Sequence, residues 1–144
     1  MSTPAKQVDI LILDDDVYLL ASVAELLADC GYRVKAFADA DSAIDFAMSE
    51  TFALGLFDYR LGSLKSGLDV VEKMQALGCK SVYVMITVDV EQATQMRALH
   101  LKLFEFMRKP VEPDKLIETV QRALDHASRA AARSEVHTSE LQSH

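Results

Sequence analysis

The chain has 144 residues, half of them hydrophobic and about a quarter charged, with five glycines and three prolines. That length suits one compact domain, and the composition excludes disordered, collagen-like and disulfide-stapled classes. A net charge of −7 would repel phosphate backbones and anionic membranes, which argues against direct nucleic-acid or membrane partners.

The chain opens on a polar stretch, residues 1–7, expected to be flexible. No apolar run approaches the roughly 18 residues a membrane span needs. Nothing marks export or anchoring. Cys30 and Cys79 lack the spacing of a zinc site, so both read as small buried hydrophobes in a reducing, cytoplasmic compartment.

Residues 8–13, VDILIL, are apolar apart from Asp9 and halt at Asp14, Asp15 and Asp16, the pattern of a short strand buried on both faces. Over 17–28, Leu19, Leu20, Val23, Leu26 and Leu27 recur at helical spacing, with Asp16 placed to cap the start and Gly31 to end it. The cycle then repeats. Strands are expected over 33–37, 54–57, 81–86 and 104–107. Helices are expected over 41–48, 68–77, 91–99 and from Pro113 to about Ala131.

Strict alternation of strand and helix predicts an α/β fold, because parallel neighbours need crossover connections that are almost always right-handed. Five strands of this kind fit a flavodoxin-like, doubly wound parallel sheet of order 2-1-3-4-5 flanked by five helices. The domain is expected over 8–126. Residues 127–144 begin alanine-rich, which fits an extension of helix five, either as a link to a further domain or as a favourable helix end. Beyond about Ala131 apolar periodicity fades, so 134–144 are expected to fray into a disordered tail.

In such a sheet ligands bind beyond the carboxyl ends of the strands, where strands one and three diverge. Polar residues mapped onto the strand ends give Asp14, Asp15 and Asp16 after strand one, Asp58 after strand three, Thr87 after strand four and Lys109 after strand five. Neighbouring carboxylates repel unless a cation neutralises them, and a hard, oxygen-preferring ion such as magnesium suits them. With that ion, Asp58 can serve as a nucleophile toward phosphorus. Lys109 then offers an ammonium, and Thr87 a hydroxyl, to the phosphoryl oxygens.

The segments ILILDDD, GLFDYRLG, VMITV and FEFMRKP, in this order and spacing, resemble the receiver domains of two-component response regulators over roughly residues 9–124. The resemblance implies metal binding by Asp15, Asp58 and the Arg60 backbone carbonyl, with Asp14 helping through water, and a phosphoryl group on Asp58 clasped by Thr87 and Lys109. It makes Phe106 the switch aromatic and implies a cis Lys109–Pro110 bond. It also implies magnesium as cofactor and a sensor histidine kinase or histidine phosphotransfer protein as phosphoryl source. An output partner would meet the face of helix four, strand five and helix five. The domain would signal from the cytoplasm and catalyse only its own phosphorylation and dephosphorylation.

Several residues depart from the family pattern. Val88 follows Thr87 where Ala or Gly is usual, which narrows access for small phosphodonors. Gly62 replaces a frequent Pro, and the spacing from Asp58 to Gly67 is one residue longer, which loosens the loop 61–66. Lys102 and Leu103 stand where Gly-Ala is common, and Arg108 sits beside the lysine, so the output face differs from better-known members.

Taken singly, the aspartates could cap helix one or form a turn, Thr87 could be an ordinary strand residue, Lys109 a solvated charge and Phe106 plain packing. Their meaning is joint. Met85, Met96 and Met107 read as core fillers, and His100, His126, His137 and His144 as surface residues.

Two other functions draw on the same residues. One is a pseudo-receiver, an interaction module not controlled by phosphorylation. The other is a magnesium-dependent phosphatase whose DxD motif would begin at Asp14, although Tyr18 stands at its Thr/Val place. A dinucleotide binder is excluded, because three aspartates replace the glycine-rich turn.

Overall fold

The computed structural model describes residues 7–62, 65–88 and 92–142, the side chains of 92–93 and 134–142 excepted. The flexible start expected for 1–7 therefore falls outside the described residues apart from Gln7, as does part of the loop 61–66. Among the described residues, five strands alternate with five helices. They are β1 (Val8–Leu13), α1 (Val17–Asp29), β2 (Val34–Phe37), α2 (Ala40–Ser49), β3 (Phe52–Asp58), α3 (Gly67–Ala76), β4 (Val82–Thr87), α4 (Gln92–His100), β5 (Glu105–Arg108) and α5 (Pro113–Gln142). All neighbouring strands pair parallel, in the order β2-β1-β3-β4-β5.

The two-residue period of each strand divides the core into two layers. Ile10, Ile12, Leu54, Leu56, Val84 and Ile86 pack with Val23 and Leu27 of α1 and Leu116 and Val120 of α5. Their neighbours Leu11, Leu13, Phe57, Tyr83 and Met85 pack with Ala43 and Ile44 of α2 and Leu68, Val71 and Met74 of α3. The central strands are thus apolar on both faces, as a sheet covered by helices requires. Gly55 on β3 pairs in register with Tyr83 on β4, and a Cβ at Gly55 would sit 2.7 Å from the Tyr83 ring. The missing side chain makes room for the largest residue in that layer.

Helix ends follow local chemistry. Asp16 accepts from the Tyr18 and Leu19 N–H groups, and Asp39 from that of Ser42. Ser66 and Asp69 form a reciprocal capping box at the start of α3. Gly31 and Gly78 take the left-handed conformation just past α1 and α3. Past α4 the same conformation, φ +61°, is held by Lys102.

Three expectations are corrected. Cys30 is exposed and Cys79 half-buried, because Cys30 lies beyond the last turn of α1 and Cys79 on the turn into β4. Met96 is 68% exposed, whereas Met85 and Met107 are buried, since Met96 lies on the α4 face away from Ala98. α5 continues as a helix to Gln142 instead of ending near Ala131. The alanines of 127–133 favour helix, and Arg129 pairs with Asp125 one turn back at 3.1 Å. His100 and His126 lie at the surface, while the side chains of His137 and His144 fall outside the described residues. No described helix is long and apolar enough to cross a membrane.

Candidate functional site

Because β1 and β3 are adjacent and parallel, their carboxyl ends meet, and the residues that follow them share one rim. Asp14 and Asp58 are buried there, Asp15 is exposed, and a carboxylate oxygen of each lies within 4.8 Å of the others. Asp16, which the run of three aspartates also offers, instead turns outward to cap α1.

The remaining residues arrive on β4 and β5. Thr87, the last residue of β4, is buried, and its carbonyl accepts from the Lys109 N–H at 2.9 Å. The Lys109–Pro110 bond is cis. Lys109 places its Nζ 3.1 Å from Asp58 Oδ2 and 3.4 Å from Asp14 Oδ2. The free oxygens have backbone donors: the Asp16 N–H reaches Asp14 Oδ1 at 2.9 Å, and the Arg60 N–H reaches Asp58 Oδ1 at 3.3 Å.

Burial is the largest influence on the Asp58 carboxyl and pushes its pKa up. The Lys109 hydrogen bond pulls it down, and the neighbouring Asp14 charge pushes it up again, leaving it above the ordinary carboxylate range. Burial also works against the Lys109 charge, but the hydrogen bonds and charges of Asp58 and Asp14 outweigh it and hold the ammonium above its usual value. One ammonium against three carboxylates leaves the cluster short of positive charge. A donor set of clustered carboxylate oxygens with that deficit fits a hard divalent cation of the magnesium class.

The structure thus brings Asp14, Asp15, Asp58, Thr87 and Lys109 to one rim. Phe106 sits one strand away, half-buried on β5, paired in register with Met85 and packed against the layer that carries Phe57. Arg60 lies beyond β3 and bridges antiparallel to Ser66. Val88 is exposed beside Thr87.

Gly62 and Gly67 stand out in the sequence only as bounds of an altered loop, and what they approach, like the contact made by Tyr59, is visible only in the structure. Gly67 opens α3 directly behind Asp58: an added Cβ would collide with the Asp58 carbonyl oxygen and lie 2.6 Å from Met85 Sδ. Gly62, at φ +66°, approaches so closely that a Cβ would stand 2.5 Å from Asp15 Oδ2. Glycines in a loop after an aspartate hint at close approach, but what they approach is set by packing. The hydroxyl of Tyr59, the residue after Asp58, lies 3.4 Å from Thr94 Oγ1 on α4, a contact no local pattern announces.

A doubly wound sheet of this order, with a lysine-crossed acidic pocket at the divergence of β1 and β3, defines an α/β domain with a candidate site at that rim. The family model for the response regulator receiver domain matches residues 10–121. The chain belongs to this family, the signalling domain of two-component systems, for which magnesium and phosphorylation are typical.

Among curated relatives, it is 25% identical over 112 residues to the transcriptional regulatory protein DltR of Streptococcus agalactiae, covering 78% of this chain and 50% of the relative. It is 28% identical over 126 residues to ZraR of Salmonella typhimurium, covering 88% and 28%. The chain spans half or less of the length of these two relatives. Among solved structures it is similar to a CheY-like receiver domain protein from Methanospirillum hungatei, with a TM-score of 0.81 and 29% identity over 87% of this chain and 99% of that one. NtrX from Brucella abortus gives a TM-score of 0.80 and 29% identity over 91% and 30%.

Proposed function

We propose that residues 8–126 form a phosphoacceptor receiver that takes a phosphoryl group onto Asp58 from the phosphohistidine of a sensor kinase or histidine phosphotransfer protein, working in the cytoplasm. The observation that carries this reading is the position of the Asp58 carboxylate, within 4.8 Å of oxygens of Asp14 and Asp15 and 3.1 Å from the Lys109 ammonium.

An Asp58 oxygen attacks phosphorus; the P–O bond forms as the P–N bond breaks, and the imidazole leaves as the neutral ring with the proton on its second nitrogen. Asp14, Asp15, Asp58 and the Arg60 carbonyl would hold magnesium, which when bound supplies positive charge against the accumulating oxygen charge. Lys109 exchanges its contacts with Asp58 and Asp14 for a phosphoryl oxygen, and Thr87 donates its hydroxyl to another. Movement of Thr87 lets Phe106 repack against the core layer behind it, reshaping the face of α4, β5 and α5 for an output partner.

The test is labelling. Acetyl phosphate with magnesium is expected to give an acid-stable, base-labile adduct on the chain, absent in Asp58→Asn. Lack of adduct with acetyl phosphate and with phosphorylated histidine donors alike, together with unchanged partner affinity in Asp58→Asn, would favour the pseudo-receiver. Turnover of phosphate monoesters lost in Asp14→Asn but kept in Asp58→Asn would favour the phosphatase.

A further inference from the structure

A second polar recess lies at the opposite end of the sheet, about 520 Å³ in volume, where β4 and β5 begin. Its polar lining comes from Gln75, Lys80, Ser81, Lys102 and His126, beside the ring of Phe104. No carboxylate lines it, in a chain with 22 acidic and 15 basic residues. β4 is six residues long, so the recess and the acidic rim are separated by about 17 Å of strand.

The walls are fixed and the cations are not used. Gln75 Nε2 donates to the Leu101 carbonyl at 2.7 Å, and Ser81 Oγ to the Phe52 carbonyl at 2.6 Å. The ammonium groups of Lys80 and Lys102 have no hydrogen-bond or ion-pair partner among the described residues.

Lys102 adds an independent observation. It ends α4, with its N–H bonded to Leu99 and that of Leu103 to Ala98, and it does so at φ +61°. Glycine takes that conformation freely, whereas a residue with a Cβ is strained in it. Strain kept on a residue whose side chain lines a recess points to use of that side chain.

We propose that Lys80, on the turn into β4, and Lys102, on the turn into β5, form with His126 a binding site for a small polyphosphate anion. Two lysines lining one recess from different turns suit an anion that carries charge on more than one phosphate; a monoanion held by one exposed lysine gains little. Phe104 already has His126 at 5.3 Å between ring centroids and the Arg122 guanidinium at 5.8 Å, so the site reads phosphate groups and not a stacked base. Inorganic pyrophosphate and a nucleoside diphosphate should therefore bind alike.

Calorimetric titration of the full chain with inorganic pyrophosphate tests this, at low ionic strength and with a chelator present so that the acidic rim holds no divalent ion. Saturable binding is expected, unchanged in Asp58→Asn. It should weaken about tenfold in Lys80→Ala and again in Lys102→Gly, as loss of one charge-assisted contact predicts. Lys102→Gly should also raise the melting temperature, because it relieves the left-handed lysine, so its weaker binding would not reflect misfolding. Absence of saturation at millimolar pyrophosphate would overturn the proposal. So would wild-type affinity in both lysine variants, or tighter binding in Asp58→Asn, which would assign the anion to the rim, where loss of a carboxylate lowers the repulsion it meets.

Discussion

Lys109 Nζ lies 3.1 Å from Asp58 Oδ2, and the two side chains are 19% and 7% exposed, so a largely buried ion pair joins the carboxyl ends of β3 and β5. The pair is asymmetric, because the same ammonium also faces Asp14. Removing the lysine leaves two buried carboxylates without their cation. Lys109→Ala should therefore cost about 3 kcal/mol in chelator, the low end for a broken buried pair given the residual exposure of Lys109. Magnesium should recover part of the loss. Asp58→Asn should instead stabilise the chelated protein at neutral pH. The folded-state pKa of Asp58 lies above its ordinary value, so its ionised form opposes folding above that pH and the opposition fades as pH falls. Urea denaturation of both variants, with and without magnesium, measures the difference.

Gly67 is expected to matter through the backbone of Asp58. Gly67→Ala forces a Cβ against the Asp58 carbonyl oxygen and Met85 Sδ, an overpacking cost of about 1–3 kcal/mol. Gly78→Ala meets open space but must hold φ +90°, at a cost of about 1–2 kcal/mol. Both should lose stability, but only Gly67→Ala should slow labelling by acetyl phosphate. Equal labelling rates in the two variants would show that the α3 start does not position Asp58.

Asp69 gives a pH signature. Its carboxyl is held below the usual range chiefly by the Ser66 N–H, against the opposing effect of burial and with help from Arg97, whose guanidinium lies 2.7 Å away. A depressed folded-state pKa stabilises at pH above the unfolded value, about 3.9, and that stabilisation is lost as pH falls through the folded value. Asp69→Asn should thus cost about 1 kcal/mol near neutrality, the worth of a cap, with little added by the part-exposed ion pair. The gap to wild type should close as pH drops below about 4. Thermal melts across pH would show this; a constant gap would mean the carboxylate charge contributes nothing.

Tyr83 carries a hydroxyl with no hydrogen-bond partner among the described residues, and burial pushes its pKa up strongly. The Ser81 hydroxyl, near enough to temper that rise, donates to the Phe52 carbonyl instead. Tyr83→Phe should therefore be neutral or stabilising by up to about 1 kcal/mol, since it deletes an unsatisfied polar group without opening space. Gly55→Ala, which presses a Cβ into the same ring, should cost about 1–3 kcal/mol. Guanidinium unfolding of the two variants reads both effects, and a loss in Tyr83→Phe would reveal a partner for the hydroxyl.

Elements whose ends carry a chemical stop were legible in the chain. β1 was expected over 8–13 and spans Val8–Leu13, because an apolar run there meets three aspartates. α1 was bracketed by the Asp16 cap and Gly31. The end of α5 was not, because alanine and polar residues continue a helix as readily as they leave it. Burial of single residues was also hidden: Cys30, Cys79 and Met96 have apolar character, but exposure depends on which face of an element meets a neighbour.

Periodicity and turn chemistry act over a few residues, so the order of strands and helices, and the set of acidic and basic side chains at strand ends, could be read from the amino acids by themselves. The meeting of Lys109 with Asp14, 95 positions apart, was decided by the pairing of parallel strands. The same is true of the crowding of Gly67 on Asp58 and of the basic recess at the far end of the sheet. Those relationships depend on register and layer packing, which join segments that carry no local mark of one another.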